Sequence, residues 1–227
     1  MTVPQGPKWL YLHGFASGPE STKGVRLAAH YARQGIHLER LNLRQPSLEH
    51  LSFGAMVSTV REALGGERDR AILFGSSMGG LTACHVAQED ARVCALVLLA
   101  PALRIARQMR RTVGEPGLRR WRETGWLEIQ DYAEKRQTRV HAGLLDELDA
   151  LEARSDGVPD VRVPTLLIHG RQDTTTEISY SREWAQGRRH VRLVEVDDGH
   201  ELVASLERIA SEVDDFLRPF LASPAAR

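Results

Sequence analysis

Residues 70–80 read Arg-Ala-Ile-Leu-Phe-Gly-Ser-Ser-Met-Gly-Gly, and no other stretch restricts the possible folds as tightly. The apolar run 71–74 has the length and content of a buried strand. It passes without a spacer into Gly75-Ser76-Ser77-Met78-Gly79, after which Leu81, Cys84, His85 and Ala87 recur at helical spacing. A strand that reverses into a helix this abruptly needs glycine on both sides of the serine. The two backbones must approach closely, and the serine itself must hold unfavourable dihedrals. In that context a Gly-x-Ser-x-Gly pentapeptide presents its central hydroxyl at the tip of a nucleophile elbow. Ser77 is the candidate nucleophile.

The remaining chain alternates in the same way. Residues 9–12 read as a strand ending at His13-Gly14, followed by a helix from about Ser21, a candidate cap, with Val25, Leu27, Ala28, Tyr31 and Ala32 on its apolar face. Strand 36–43 is broken by Gln45-Pro46, and helix 54–64 is ended by Gly65-Gly66. After the elbow come strand 93–99, strand 165–168 leading into His169-Gly170, a helix over 178–186, strand 191–196 and a last helix over 202–220. Six strands alternating with helices predict an α/β fold with a mostly parallel sheet covered on both faces. The expected order by appearance is 2-1-3-4-5-6, because the first strand must lie beside the elbow strand for their ends to share a site.

Between Pro101 and Pro164 the rhythm changes. Residues 104–160 show no convincing strand and two helical patterns divided by Gly114, Pro116 and Gly125, too long for a plain connection. The expectation is a small helical cap, 104–160, inserted after the fourth strand into a core of 1–103 and 161–227. Its first part is basic, with Arg104, Arg107, Arg110, Arg111, Arg119, Arg120 and Arg122; its last part is acidic, with Asp146, Glu147, Asp149, Glu152 and Asp156. Solvated, mutually paired faces are the ordinary explanation. The sharper one sets Arg110 or Arg120 against an anionic part of a substrate. Met109, Val113, Trp121, Trp126 and Leu127 are candidates for an acyl pocket, and core packing explains them equally well.

Composition narrows the function classes. Lys+Arg and Asp+Glu both total 30, so no bulk charge draws the chain to nucleic acid or an anionic membrane. The two cysteines, Cys84 and Cys94, form no CxxC pair and read as buried thiols in a reducing compartment. Residues 1–7 are polar and do not resemble a secretory signal, and the longest apolar run, 93–103, is too short to span a bilayer. A soluble, cytoplasmic protein is expected.

A serine hydroxyl needs a base within reach, and that base needs an acid to hold its tautomer. Behind an elbow the chain order is Ser, Asp or Glu, then His. Asp173, in His169-Gly170-Arg171-Gln172-Asp173, follows one predicted strand, and His200, in Asp197-Asp198-Gly199-His200, follows the next. Both then lie at carboxyl ends of neighbouring strands, where open α/β sheets place their sites. Asp197 and Asp198 stand too close to His200 to suit this geometry, and Asp214 and Asp215 fall on the last helix. His13 and His169 read as turn-holding residues, His85 as a packed helix residue and Lys23 as solvated. An oxyanion would be met by backbone N–H groups. Met78, at the helix N-terminus, supplies one, and Phe15, in the loop His13-Gly14-Phe15-Ala16-Ser17-Gly18, the second. That loop lacks the Gly-x-x-x-x-Gly-Lys-Ser/Thr of a phosphate cradle.

With Leu12-His13-Gly14-Phe15, the elbow, His169 to Asp173 and Gly199-His200 in order, the chain resembles a serine α/β-hydrolase over nearly its whole length. More narrowly, residues 11–23, Tyr-Leu-His-Gly-Phe-Ala-Ser-Gly-Pro-Glu-Ser-Thr-Lys, resemble the opening of the small YqiA-type bacterial esterases. Elbow and cap placement are also similar to palmitoyl-protein thioesterases of this fold. The resemblance implies a small-molecule ester or acyl thioester substrate and an acyl-enzyme on Ser77, with no metal or cofactor required. Two departures stand out. The usual first two antiparallel strands are missing, and Thr174-Thr175-Thr176-Glu177 replaces the frequent Val-Pro pair after the acid. An amidase or peptidase using the same residues, a peracid-forming side activity and a non-catalytic binding module are the alternatives.

Overall fold

The computed structural model describes residues 6–155 and 158–221; residues 1–5 of the polar opening and Asp156 of the acidic run lie outside them. The elements are β1 (Lys8–Leu12), α1 (Thr22–Ala32), β2 (Leu38–Leu41), α2 (Phe53–Leu64), β3 (Ala71–Ser76), α3 (Met78–Glu89) and β4 (Val93–Leu99), then α4 (Ile105–Thr124), β5 (Trp126–Asp131), β6 (Arg136–His141), α5 (Gly143–Ser155), β7 (Thr165–Gly170), α6 (Ile178–Ala185), β8 (Val191–Val196) and α7 (Leu206–Leu221). Six strands form one parallel sheet in the order β2-β1-β3-β4-β7-β8. Leaving out the β5–β6 pair, this is the expected 2-1-3-4-5-6.

Strand alternation sorts the core into two layers. Leu10, Leu12, Leu73, Leu96, Leu98 and Leu167 face one side, against Met56 and Val60 of α2, Leu81 of α3, Trp121 of α4 and Leu148 of α5. Their neighbours Trp9, Tyr11, Ile72, Phe74, Val97, Leu99 and Ile168 face the other, against Leu27 and Tyr31 of α1 and Ile209, Val213 and Leu217 of α7. Central strands buried on both faces are why their sequences read as unbroken apolar runs. The register pairs Leu12 with Gly75 and Ser76 with Leu99. The carboxyl ends of β1, β3 and β4 therefore finish together beside the elbow.

Three local expectations are corrected. β2 spans four residues, not 36–43, because the Leu43 N–H leaves the ladder and donates to His13 Nε2 at 3.1 Å. Ser21 occupies the α1 cap position without capping; its hydroxyl lies 3.4 Å from Tyr11 Oη, whereas Ser52 does cap α2. Above all, the insertion is not wholly helical. It contains an antiparallel hairpin, β5 with β6, between α4, kinked at Gly114, and α5. Its alternation is weak, and its turn, Tyr132-Ala133-Glu134-Lys135, places Lys135 at φ 53 without the glycine or asparagine that signals a hairpin. Among the described residues no helix is long and apolar enough to cross a membrane.

Candidate active site

Ser77 joins β3 to α3 at φ 54, ψ −121. Its N–H donates to Leu99 O at 3.0 Å, and its carbonyl accepts from Gly80 and Ala102 at 2.9 and 3.0 Å, bonds that hold the strained residue in place. A Cβ on Gly79 would lie 2.3 Å from Leu12 O, and one on Gly75 2.6 Å from Gly79 O. Both positions admit only glycine.

The structure brings the three separated side chains together. Asp173 follows β7, and its carboxylate has no solvent exposure. Its Oδ1 accepts the Thr175 and Thr176 N–H groups at 2.8 Å each, and its Oδ2 accepts the Thr176 hydroxyl at 2.7 Å. Burial alone would raise its pKa. Hydrogen bonds from His169, His200 and Thr176, with the charge His200 can carry, outweigh that and hold the carboxyl well below the usual range. An ionised Asp173 only accepts, so His200 Nδ1, 2.8 Å from Oδ2, carries the ring proton. Nε2 is left as the acceptor, 3.1 Å from Ser77 Oγ. The acid and histidine loops are joined by Arg171 N–H to Val196 O at 2.8 Å and Gln172 N–H to Asp198 O at 3.0 Å. The rival acids are engaged elsewhere. Asp197 pairs with Arg171, Asp198 accepts from Gly199 and Ser205 N–H groups within its own loop, and Asp214 meets His30.

The loop after β1 closes over the elbow, and a Cβ on Gly14 would stand 3.0 Å from Ser77 Cβ. Among the described residues neither the Phe15 nor the Met78 N–H has an acceptor. His13 is buried, and burial lowers its pKa. Its Nε2 accepts from Leu43, so its Nδ1–H donates to Gly14 O at 2.9 Å. That bond fixes the plane of the Gly14–Phe15 peptide and hence the direction of the Phe15 N–H. The hairpin turn steadies the same loop, since Tyr132 N–H donates to Ala16 O at 2.9 Å. Arg44 grips the buried Asp131 carboxylate at 3.0 and 2.6 Å.

The other expected ligand contacts are placed differently. Trp121 is a core residue, 1% exposed, with its indole N–H spent on Val140 O at 3.0 Å, which corrects its reading as a pocket wall. Trp126 lies under the Arg139 guanidinium at 3.9 Å and edge-on to His50 and His141. Arg110 pairs with Asp149 of α5, and Arg120 is exposed on α4. None of these four makes a hydrogen bond, ion pair or ring contact with Ser77, Asp173, His200 or Phe15 among the described residues. Lys23, expected in solvent, is 7% exposed and donates to His200 O at 3.3 Å; burial lowers its pKa, opposed by Glu201, Asp173 and Asp198. Its spacing with Leu27 and Tyr31 on one helical stripe was the available signal. Thr176 and His169, buried against Asp173, and Ser181, buried behind His169, carried none. Among the described residues no cluster of three or more His, Cys, Asp or Glu could hold a metal.

Comparison with solved structures finds the same architecture. Est1E from Butyrivibrio proteoclasticus aligns with a TM-score of 0.76 at 21% identity, covering 98% of this chain and 91% of that one. A putative hydrolase from Agrobacterium vitis S4 reaches 0.77 at 20% identity, covering 93% and 88%. Alpha/beta hydrolase domain-containing protein 10 from mouse reaches 0.77 at 19%, covering 95% and 92%. Identities this low speak for the fold alone. No curated protein matches the chain. A family model, described as an uncharacterised protein family, matches residues 8–217. This chain belongs to the UPF0227 family, and its sheet has the α/β-hydrolase fold.

Proposed function

We propose that the chain is a serine hydrolase that cleaves carboxylic esters or acyl thioesters of small molecules through an acyl-enzyme on Ser77. The observation that carries this reading is the unbroken line from Ser77 Oγ to His200 Nε2 at 3.1 Å and from His200 Nδ1 to Asp173 Oδ2 at 2.8 Å. Ser77 Oγ attacks the acyl carbon as its proton passes to His200 Nε2. The carbonyl oxygen becomes an oxyanion between the Phe15 and Met78 N–H groups, each donor worth about 3–4 kcal/mol in the transition state. Collapse breaks the bond to the leaving oxygen or sulfur, which takes the proton from His200. Water then attacks the Ser77 ester, gives a proton to His200, and the acid departs as Ser77 regains its hydrogen. Asp173 stays ionised and faces the imidazolium throughout. Residues 104–160 act as a cap whose hairpin supports the oxyanion loop.

The test is labelling by a fluorophosphonate, followed by turnover of nitrophenyl esters of graded length beside acyl-CoA thioesters. The wild-type chain labels and turns over at least one series, and Ser77→Ala loses labelling and about 10³-fold or more of kcat. A wild-type chain inert to both probe and substrates overturns the reading in favour of a binding module.

A further inference from the structure

We infer that Thr176 is a positioning residue of the Ser77–His200–Asp173 triad, its hydroxyl sharing the hydrogen bond between His200 and Asp173; this rests on the serine-hydrolase reading above. The residue is 2% exposed. Its Oγ1 lies 2.7 Å from Asp173 Oδ2, 3.2 Å from His200 Nδ1, 3.4 Å from His169 Nε2 and 3.5 Å from Ala100 O. A hydroxyl has one proton, and the shortest of these contacts, to an ionised oxygen, takes it. The lone pairs of Oγ1 are then turned toward the nitrogens. His200 Nδ1–H accordingly faces two acceptors, Oδ2 at 2.8 Å and Oγ1 at 3.2 Å.

Thr176 also holds the other carboxylate oxygen, since its own N–H donates to Oδ1 at 2.8 Å. One residue therefore grips Asp173 at both oxygens and prevents the carboxylate from rotating. Thr176 is anchored in turn. His169 Nε2 lies 3.0 Å from Thr176 O and 3.2 Å from Asp173 Oδ2, acceptors only, so Nε2 carries the proton. Its Nδ1 accepts from the buried Ser181 hydroxyl at 2.8 Å, which sets that tautomer. Ser181, His169 and Thr176 form a line of supports ending on Asp173.

The chemistry that uses this arrangement is the arrival of a proton on His200. As the ring becomes a cation its Nδ1–H bond strengthens. A carboxylate free to turn, or a lone acceptor, would meet that charge less well. The contribution grows from ground state to transition state and belongs in kcat rather than KM.

Thr176→Val keeps the shape of the side chain and removes only the hydroxyl; Thr176→Ser keeps the hydroxyl. Each is assayed on nitrophenyl acetate, and the downfield proton resonance of His200 Nδ1–H is recorded for each. Thr176→Val is expected to lower kcat about 10-fold or more, the scale of one hydrogen bond to a charged group, with KM within about 2-fold. Its resonance moves, while Thr176→Ser stays near wild type in both readouts. A wild-type kcat and unmoved resonance in Thr176→Val overturns the proposal, as do equal losses in both variants, which assign the effect to packing of the methyl. A wild-type chain that fails to label with fluorophosphonate removes the underlying reading. A labelled wild type with an indifferent Thr176→Val removes this inference alone.

Discussion

Two glycines near the candidate site show how differently the same residue type is constrained. A methyl on Gly79 meets Leu12 O at 2.3 Å and His13 O at 2.5 Å, backbone atoms of the strand and loop that lead to Phe15. A methyl on Gly199, one residue before His200, meets nothing within 4 Å. Gly79→Ala is therefore expected to cost about 2 kcal/mol or more in chemical denaturation and to abolish fluorophosphonate labelling. Gly199→Ala should leave stability within about 0.5 kcal/mol. Equal stability of the two variants would show that the elbow relaxes around an added methyl. Ser77 was legible at this scale because its strain requires small neighbours, and small neighbours are visible in a sequence. Thr176 was not, because nothing local separates a buried hydroxyl from a solvated one, and Lys23 was marked only by its helical spacing with Leu27 and Tyr31.

At the scale of elements, the apolar runs that make β3, β4 and β7 declared themselves because both faces of each strand are buried. The β5–β6 hairpin did not. Leu127 and Ile129 are only half-buried, Glu128 pairs across from Arg139, and the turn lacks the usual residues. Yet this hairpin, through Tyr132 and Ala16, supports the loop that carries Phe15. Its docking depends on Arg44 and Asp131, whose side chains are 14% and 0% exposed. Arg44→Met strands the buried carboxylate and is expected to destabilise the chain by about 3 kcal/mol. It should also lower kcat on nitrophenyl esters with little change in KM. Arg44→Met combined with Asp131→Leu removes the orphan charge and should recover most of the stability but not the rate. Full recovery of both would show that the hairpin does not govern the loop that carries Phe15.

For the whole molecule, acid sensitivity follows from two histidines lowered by burial and from carboxylates held low by their partners. Burial holds His85 at about 4, against an ordinary 6.5, and lowers His13 as well. The unfolded chain binds protons there that the folded chain refuses, so stability falls as pH drops from 6.5 toward 4. A second loss follows, because Glu195 is held at about 2 rather than 4.5, by Arg182 first, and Asp173 also lies low. Those carboxylates contribute stability above 4.5 that disappears as pH falls toward 2. His85→Leu should shrink the loss between pH 7 and 5 by roughly 1–2 kcal/mol, read by thermal denaturation across pH. An unchanged slope would mean that His85 is protonated in the folded chain. Chain order alone established the alternation of strands and helices, the parallel six-stranded sheet, and which serine, acid and histidine stand at strand ends. Those properties follow from short-range periodicity and turn chemistry. Packing decided the docking of the hairpin on the loop after β1, the burial of Lys23 beneath His200 and the grip of Thr176 on Asp173. Each of these joins segments far apart in the chain, none of which names its partner, so they exist only once the sheet has brought those segments to one edge.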